Sequence, residues 1–98
     1  MMKHLVLAKF KPEVTVEQKA AMLPDIRRIF EGTLSVDGIT DVQFYVNCVD
    51  RSNRYDLMIE ITMDRSALEA YDVCAPHREW LDRYGDKLET KAIFDHEA

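Results

Sequence analysis

Lys3-His4-Leu5-Val6-Leu7-Ala8-Lys9-Phe10 decides the fold of this chain. Side chains alternate across a strand, so His4, Val6, Ala8 and Phe10 share one face, and Leu5, Leu7 and Lys9 share the other. Both faces are largely apolar, and such a strand needs cover on both sides. A helical layer can cover one. The second needs another layer, and the sheet of a second copy is the simplest candidate. The stretch is too short for the apolar region of a signal peptide and runs straight into Lys11. No segment reaches transmembrane length, so the expected location is the cytoplasm with no membrane partner.

Outward from this strand, Lys11-Pro12-Glu13 reads as a turn, and Thr15 with Gln18 fits a capping box. The helix it opens is expected to run to about Leu34. Ala20, Leu23, Arg27 and Phe30 form one stripe, widened by Met22, Ile26 and Ile29, with Arg27 at its edge. Pro24 removes one backbone bond, so a kink or break is predicted near Met22–Pro24. Ser35-Val36-Asp37-Gly38 is a turn, after which 39–46 alternates as a strand. Asp50-Arg51-Ser52-Asn53 is a hairpin-type loop leading into the clearest strand, 55–63. Asp64 or Ser66 caps a short helix carrying Leu68 and Tyr71. A further helix is expected over about 77–88, with Trp80, Leu81 and Tyr84 inward, and a last strand over 90–96. The order β-α-β-β-α-α-β, with four strands in an antiparallel sheet and helices on one face, is the ferredoxin-like α+β plan, in one domain over 1–98.

With 98 residues, 47% hydrophobic and 32% charged, the chain has the composition of a globular domain. Its net charge of −5 argues against nucleic acid or an anionic membrane as main partner. Cys48 and Cys74 have no metal or redox spacing and are expected to be reduced. No histidine or cysteine spacing suits a metal, and Gly32, Gly38 and Gly85 form no phosphate loop. Asp37, Asp41, Asp50 and Asp56 read as turn and strand-end residues, not as paired catalytic carboxylates. No cofactor and no metal is expected.

Chemistry concentrates at Tyr71 and His77, separated by Cys74-Ala75-Pro76. Proline restricts the residue before it, so one helix should end before Pro76 and another begin near His77, placing both side chains at a junction. A phenol can donate to a developing oxyanion and an imidazole can move a proton near neutral pH. The bland alternatives are a core tyrosine and a half-buried histidine bonded to backbone. His4, on the helix-covered face, could orient a substrate, share a proton with His77, or fill a polar gap. His96 reads as surface or interface. Glu60 and Thr62 share the outer sheet face with Met58, where Glu60 would need Lys9 or another partner.

At this point the chain resembles the stress-responsive A/B barrel domain (Dabb) family of the dimeric α+β barrel superfamily. The resemblance rests on His4-Leu5-Val6-Leu7-Ala8-Lys9-Phe10-Lys11, Tyr55-Asp56-Leu57, Leu68-Glu69-Ala70-Tyr71, Pro76-His77 and Ile93-Phe94-Asp95, in order along the whole chain. It departs from the family's frequent His-Pro-x-His: Cys74 stands at the first histidine's place, and proline directly precedes His77. The resemblance implies a homodimer whose two sheets face each other as a barrel. By likeness to a polyketide cyclase of the family, it implies catalytic roles for Tyr71, His77 and His4. It also implies a pocket lined by Val6, Met22, Leu23, Ile26, Ile59 and Ile93; Trp80 and Leu81, read as inward on the last helix, are expected to line it too. Two functions are in play. One is a cofactor-independent cyclase, isomerase or lyase-type acid–base enzyme on a small polyketide-like or aromatic molecule. The other is a non-catalytic, small-molecule-binding or stress-response dimeric barrel. A continuous apolar cavity reaching Tyr71 and His77 would favour the first, and solid packing between Ile59 and Leu23 the second.

Overall fold

The computed structural model describes all 98 residues and runs β1 (Met2–Phe10), α1 (Val16–Glu31), β2 (Ile39–Val46), β3 (Leu57–Met63), α2 (Leu68–Val73), α3 (Ala75–Tyr84) and β4 (Leu88–Glu97). The element order is the one read from the sequence. The strands form one sheet in the order β2-β3-β1-β4, antiparallel at every pairing. β1 is therefore interior, with Val6 opposite Ile59 on one side and Ile93 on the other.

Local chemistry sets the elements. The Thr15 hydroxyl accepts from the Gln18 N–H, and the Gln18 side chain accepts from the Thr15 N–H, closing the capping box expected. Of the kink or break expected near Met22–Pro24, the break does not occur, since α1 is one helix through Pro24. Pro24 is exposed, and the carbonyl that loses its donor belongs to Ala20, also exposed, where water can replace the bond. The helix ends at Glu31 and a 3₁₀ turn over Gly32–Ser35 follows. Gly38 takes a φ of +93°, and a Cβ there would lie 2.9 Å from the Ala67 Cβ, so the turn into β2 needs glycine.

The helix junction also differs from expectation. Cys74 is the extended residue that separates α2 from α3, and Ala75 is already helical. Pro76 falls in the first turn of α3, where its missing N–H would have had no helical partner. His77 thus lies in that first turn. At the other end, α3 gives way to a 3₁₀ turn over Gly85–Lys87 and Leu88 opens β4.

The core lies between the sheet and the helices. His4, Val6, Ala8 and Phe10 of β1 and Leu57, Ile59, Ile61 and Met63 of β3 are buried against Ile26, Ile29, Phe30, Tyr71, Trp80 and Tyr84. Arg27 is exposed, its guanidinium 5.2 Å from the centre of the Phe44 ring. Leu81 is 39% exposed rather than inward. The buried stripe of α3 runs through Trp80 and Tyr84, and Leu81 lies about 100° round the helix from Trp80. The Tyr84 hydroxyl donates to Asp25 Oδ2 at 2.5 Å, and Asp25 also pairs with Arg28 and Arg83, tying α1 to α3.

No helix covers the opposite sheet face. Leu5 and Leu7 lie there half-buried, beside exposed Phe94 and Tyr45. Glu60 is paired on this face with Lys3 at 2.7 Å, not with Lys9, which reaches Glu89 at 3.4 Å. Lys3 lies diagonally across the β1–β3 ladder from Glu60, within reach of its carboxylate.

Candidate active site

The sheet and the α2–α3 junction bring His4, Tyr71 and His77 together. His4 is carried on the inner face of β1 and is 5% exposed; Tyr71, from α2, is 1% exposed. Their ring centres lie 5.0 Å apart, edge to face. The Tyr71 and His77 ring centres lie 4.8 Å apart. The phenol therefore stands between two imidazoles.

A fourth group joins them. Asp95 lies directly opposite His4 in the β1–β4 ladder, and its Oδ1 is 2.5 Å from His4 Nδ1. His77 Nδ1 is 3.0 Å from the Asp72 carbonyl oxygen. A carbonyl and a carboxylate only accept, so both histidines donate from Nδ1. In its neutral form each then carries a free lone pair on Nε2. Tyr71 makes no hydrogen bond through its hydroxyl; burial, followed by the negative potential of Cys74, Asp72 and Asp95, pushes its pKa up. The phenol thus stays protonated at neutral pH and remains a donor. No sealed side-chain oxygen or nitrogen in the chain lacks a partner, so the unbonded Tyr71 hydroxyl touches solvent-sized space. The arrangement can accept a proton at either Nε2 and donate a hydrogen bond from the phenol.

The residues expected to line a pocket are dispersed. Val6, Ile26, Ile59 and Trp80 are solidly buried core. Leu23 lines a cavity of about 350 Å³ that also touches Phe10 and Leu57, at the end of β1 away from His4. Met22 lines another of about 320 Å³ with Val14, Gln18, Ala21 and Lys87. Neither cavity includes Tyr71 or His77. Ile93 is on the expected face, opposite Val6, but is 50% exposed. Lys91, Ile93 and Asp95 all share the inner face of β4 with exposed side chains, because the helical layer stops short of this edge strand. They form an open shelf leading to the Asp95–His4 pair.

Asp95 is the member of this cluster that the sequence alone does not single out. Its signal is its register with His4, which an antiparallel β1–β4 pairing supplies only once the pairing is fixed to the residue. No group of three or more His, Cys, Asp or Glu side chains could hold a metal ion. No helix is long and apolar enough to cross a membrane.

A four-stranded antiparallel sheet with its helices on one face and this histidine–tyrosine junction defines the chain as a ferredoxin-like α+β protein. The sequence profile of the stress responsive A/B barrel domain matches residues 2–98, and the chain belongs to this Dabb family. No individual curated protein matches it in sequence. Solved structures share the fold. A dimeric ferredoxin-like protein of unknown function from Bacteroides fragilis is 18% identical with a TM-score of 0.83, the alignment covering 99% of this chain and 95% of that one. A second dimeric ferredoxin-like protein of unknown function, from Jannaschia sp., is 21% identical with a TM-score of 0.77, over 99% and 98% of the two chains. A Dabb family protein from Mesorhizobium loti is 17% identical with a TM-score of 0.75, over 99% and 95%.

Proposed function

We propose that this chain works as a homodimer of one-domain subunits, paired through the outer sheet face, and that it catalyses proton transfer on a small carbonyl compound without a cofactor. Its substrate would be a polyketide-like or aromatic molecule, and its reaction a cyclisation, isomerisation or lyase-type step. The observation that carries the reading is the Tyr71 hydroxyl, buried yet unbonded, between two imidazoles whose Nδ1 atoms are both engaged. In this scheme His77 Nε2 removes a proton from the carbon next to a carbonyl. Tyr71 donates to the enolate oxygen as charge develops there. His4, held by Asp95, orients the substrate or accepts a second proton. Both cysteines are free thiols, in keeping with the cytoplasm as the compartment proposed.

Exchange of the α-protons of a panel of aryl methyl ketones in D2O, followed by NMR, tests this. The chain should accelerate exchange. His77→Ala should lower the acceleration by about 10²- to 10⁴-fold with the fold intact. Tyr71→Phe should lower it by about 10²-fold or more. Undiminished exchange in His77→Ala excludes the proposed base.

One observation favours the second reading, a non-catalytic binding or stress-response barrel. The volumes of about 350 and 320 Å³ flanking α1 lie away from the cluster, where Trp80, Phe30 and Ile59 fill the interlayer. Absence of exchange across the panel, with ligand binding retained, would decide for it.

A further inference from the structure

At the far end of the interlayer from His4, the first half of α1 and the loop joining β2 to β3 flank the half-open cavity of about 350 Å³. Val16, Lys19, Ala20 and Leu23 recur at helical spacing and turn one stripe of α1 toward it. Its floor is Phe10 and Leu57, both buried. Its volume is in the range that holds a small organic ligand.

Two features mark it off from a packing defect. Apolar side chains that the fold leaves exposed gather on it: Val16, at 74% exposure, Val46 and Val49 all line this one cavity. Its charged lining also runs against the rest of the molecule. Lys19, Arg51 and Arg54 meet only Asp50 and Asp56, in a chain of net charge −5. Asp56 is already committed, accepting from the Phe10 N–H at 2.8 Å and from Lys19 at 3.1 Å. Neither Arg51 nor Arg54 has a salt-bridge partner; the Arg54 guanidinium donates only to the neighbouring Asn53 side chain. Guanidinium groups beside an apolar slot recognise a carboxylate with a hydrocarbon body.

We propose that this cavity binds a small amphipathic carboxylate, its hydrocarbon against Phe10, Leu23 and Leu57 and its carboxylate held by Arg51 and Arg54. The site is separate from the histidine–tyrosine cluster and does not depend on the acid–base reading. From Phe10 to His4 is six strand residues, about 20 Å, and Val6, Ala8 and Ile59 close the layer between them.

Octanoate and its neutral counterpart octanol, titrated into the intact labelled protein and followed by amide chemical shifts, test the proposal. Octanoate should give saturable shifts at Val16, Ala20, Leu23 and Val49, and octanol should bind about tenfold or more weakly. The double variant Arg51→Ala, Arg54→Ala should lose about that factor for octanoate and keep its octanol affinity. Ala20→Phe should fill the slot and abolish binding of both. Because neither arginine is buried, the double variant stays informative even where Ala20→Phe fails to fold. No saturable shift below the micelle concentration, equal affinity for octanol, or shifts centred on Tyr71 and His77 would each overturn the proposal.

Discussion

Phe94→Ala separates the stability of the protomer from its pairing. Phe94 stands opposite Leu5 on the face that no helix covers, and is 60% exposed. Full burial of a phenylalanine contributes about 1.5–3 kcal/mol. The exposed fraction leaves about 0.9–1.8 kcal/mol to be gained when a second sheet covers it. In a two-fold dimer each change counts twice, so the loss is about 1.8–3.6 kcal/mol per dimer. The dimer dissociation constant should therefore rise by about 20- to 400-fold. The protomer itself should hardly notice, because the ring contributes little to its core. Light scattering over a dilution series measures both parts: the natural chain should weigh near twice 11.4 kDa, and the variant should dissociate at higher concentration. An unchanged dissociation constant, or a natural chain that is monomeric at micromolar concentration, would refute the argument that this face is the interface.

Three further outcomes follow from particular side chains. Asp25 has its pKa lowered from 3.8 to about 2, first by the Tyr84 hydroxyl and then by Arg28. A carboxyl depressed in the folded state contributes stability that is complete above its ordinary value and fades as pH falls through the folded one. The urea midpoint gap between the natural chain and Asp25→Asn should thus be largest above about pH 4 and close toward pH 2; a gap independent of pH would show that the ion-paired form contributes nothing. Pro24→Ala restores a backbone donor on the exposed side of α1 and should stabilise the chain by about 1–3 kcal/mol in urea unfolding, whereas a loss would mean the proline is positively required. Tyr71→Phe removes a hydroxyl that bonds to nothing in the chain, so its stability should change by less than about 1 kcal/mol; a larger loss would reveal a structural bond at that oxygen.

What the sequence revealed and what it hid divide along a physical line. The two-sided β1, the alternation of β3 and the capping box at Thr15 depend on neighbours a few residues away, and all three stand in the structure. Of the kink or break expected at Pro24, the break misled, because the carbonyl left without a donor, that of Ala20, lies on an exposed residue where water can satisfy it. Pro76 misled in a smaller way, since a proline in a first helical turn loses nothing and the chain broke at Cys74 instead. Ile93 and Leu81 required knowing how far the helical layer extends. The family resemblance named Ile93 as a pocket position, and it does lie opposite Val6, but only the packed structure shows that this face is left open at the sheet edge. Asp95 needed the register of two strands some ninety residues apart, which no local pattern contains.

The hydroxyl of Tyr71 is the feature that the fold itself does not require. The ring fills the space between His4 and His77, and a phenylalanine would fill it as well. A tyrosine in a core ordinarily earns its oxygen through a hydrogen bond. This one has no partner within the chain, and its surroundings drive it further toward the neutral phenol. A phenol held neutral is a poor nucleophile and a dependable donor. The cluster is therefore suited to stabilising an oxygen that gains charge, not to forming a covalent intermediate at Tyr71. The same logic divides labour between the histidines. His4 has its carboxylate partner Asp95 and little exposure, so its orientation is fixed by the sheet. His77 has only a backbone carbonyl and sits half-buried in the first turn of α3. It is the imidazole with access to solvent, and so the one that could exchange a proton with water in the proposed reaction.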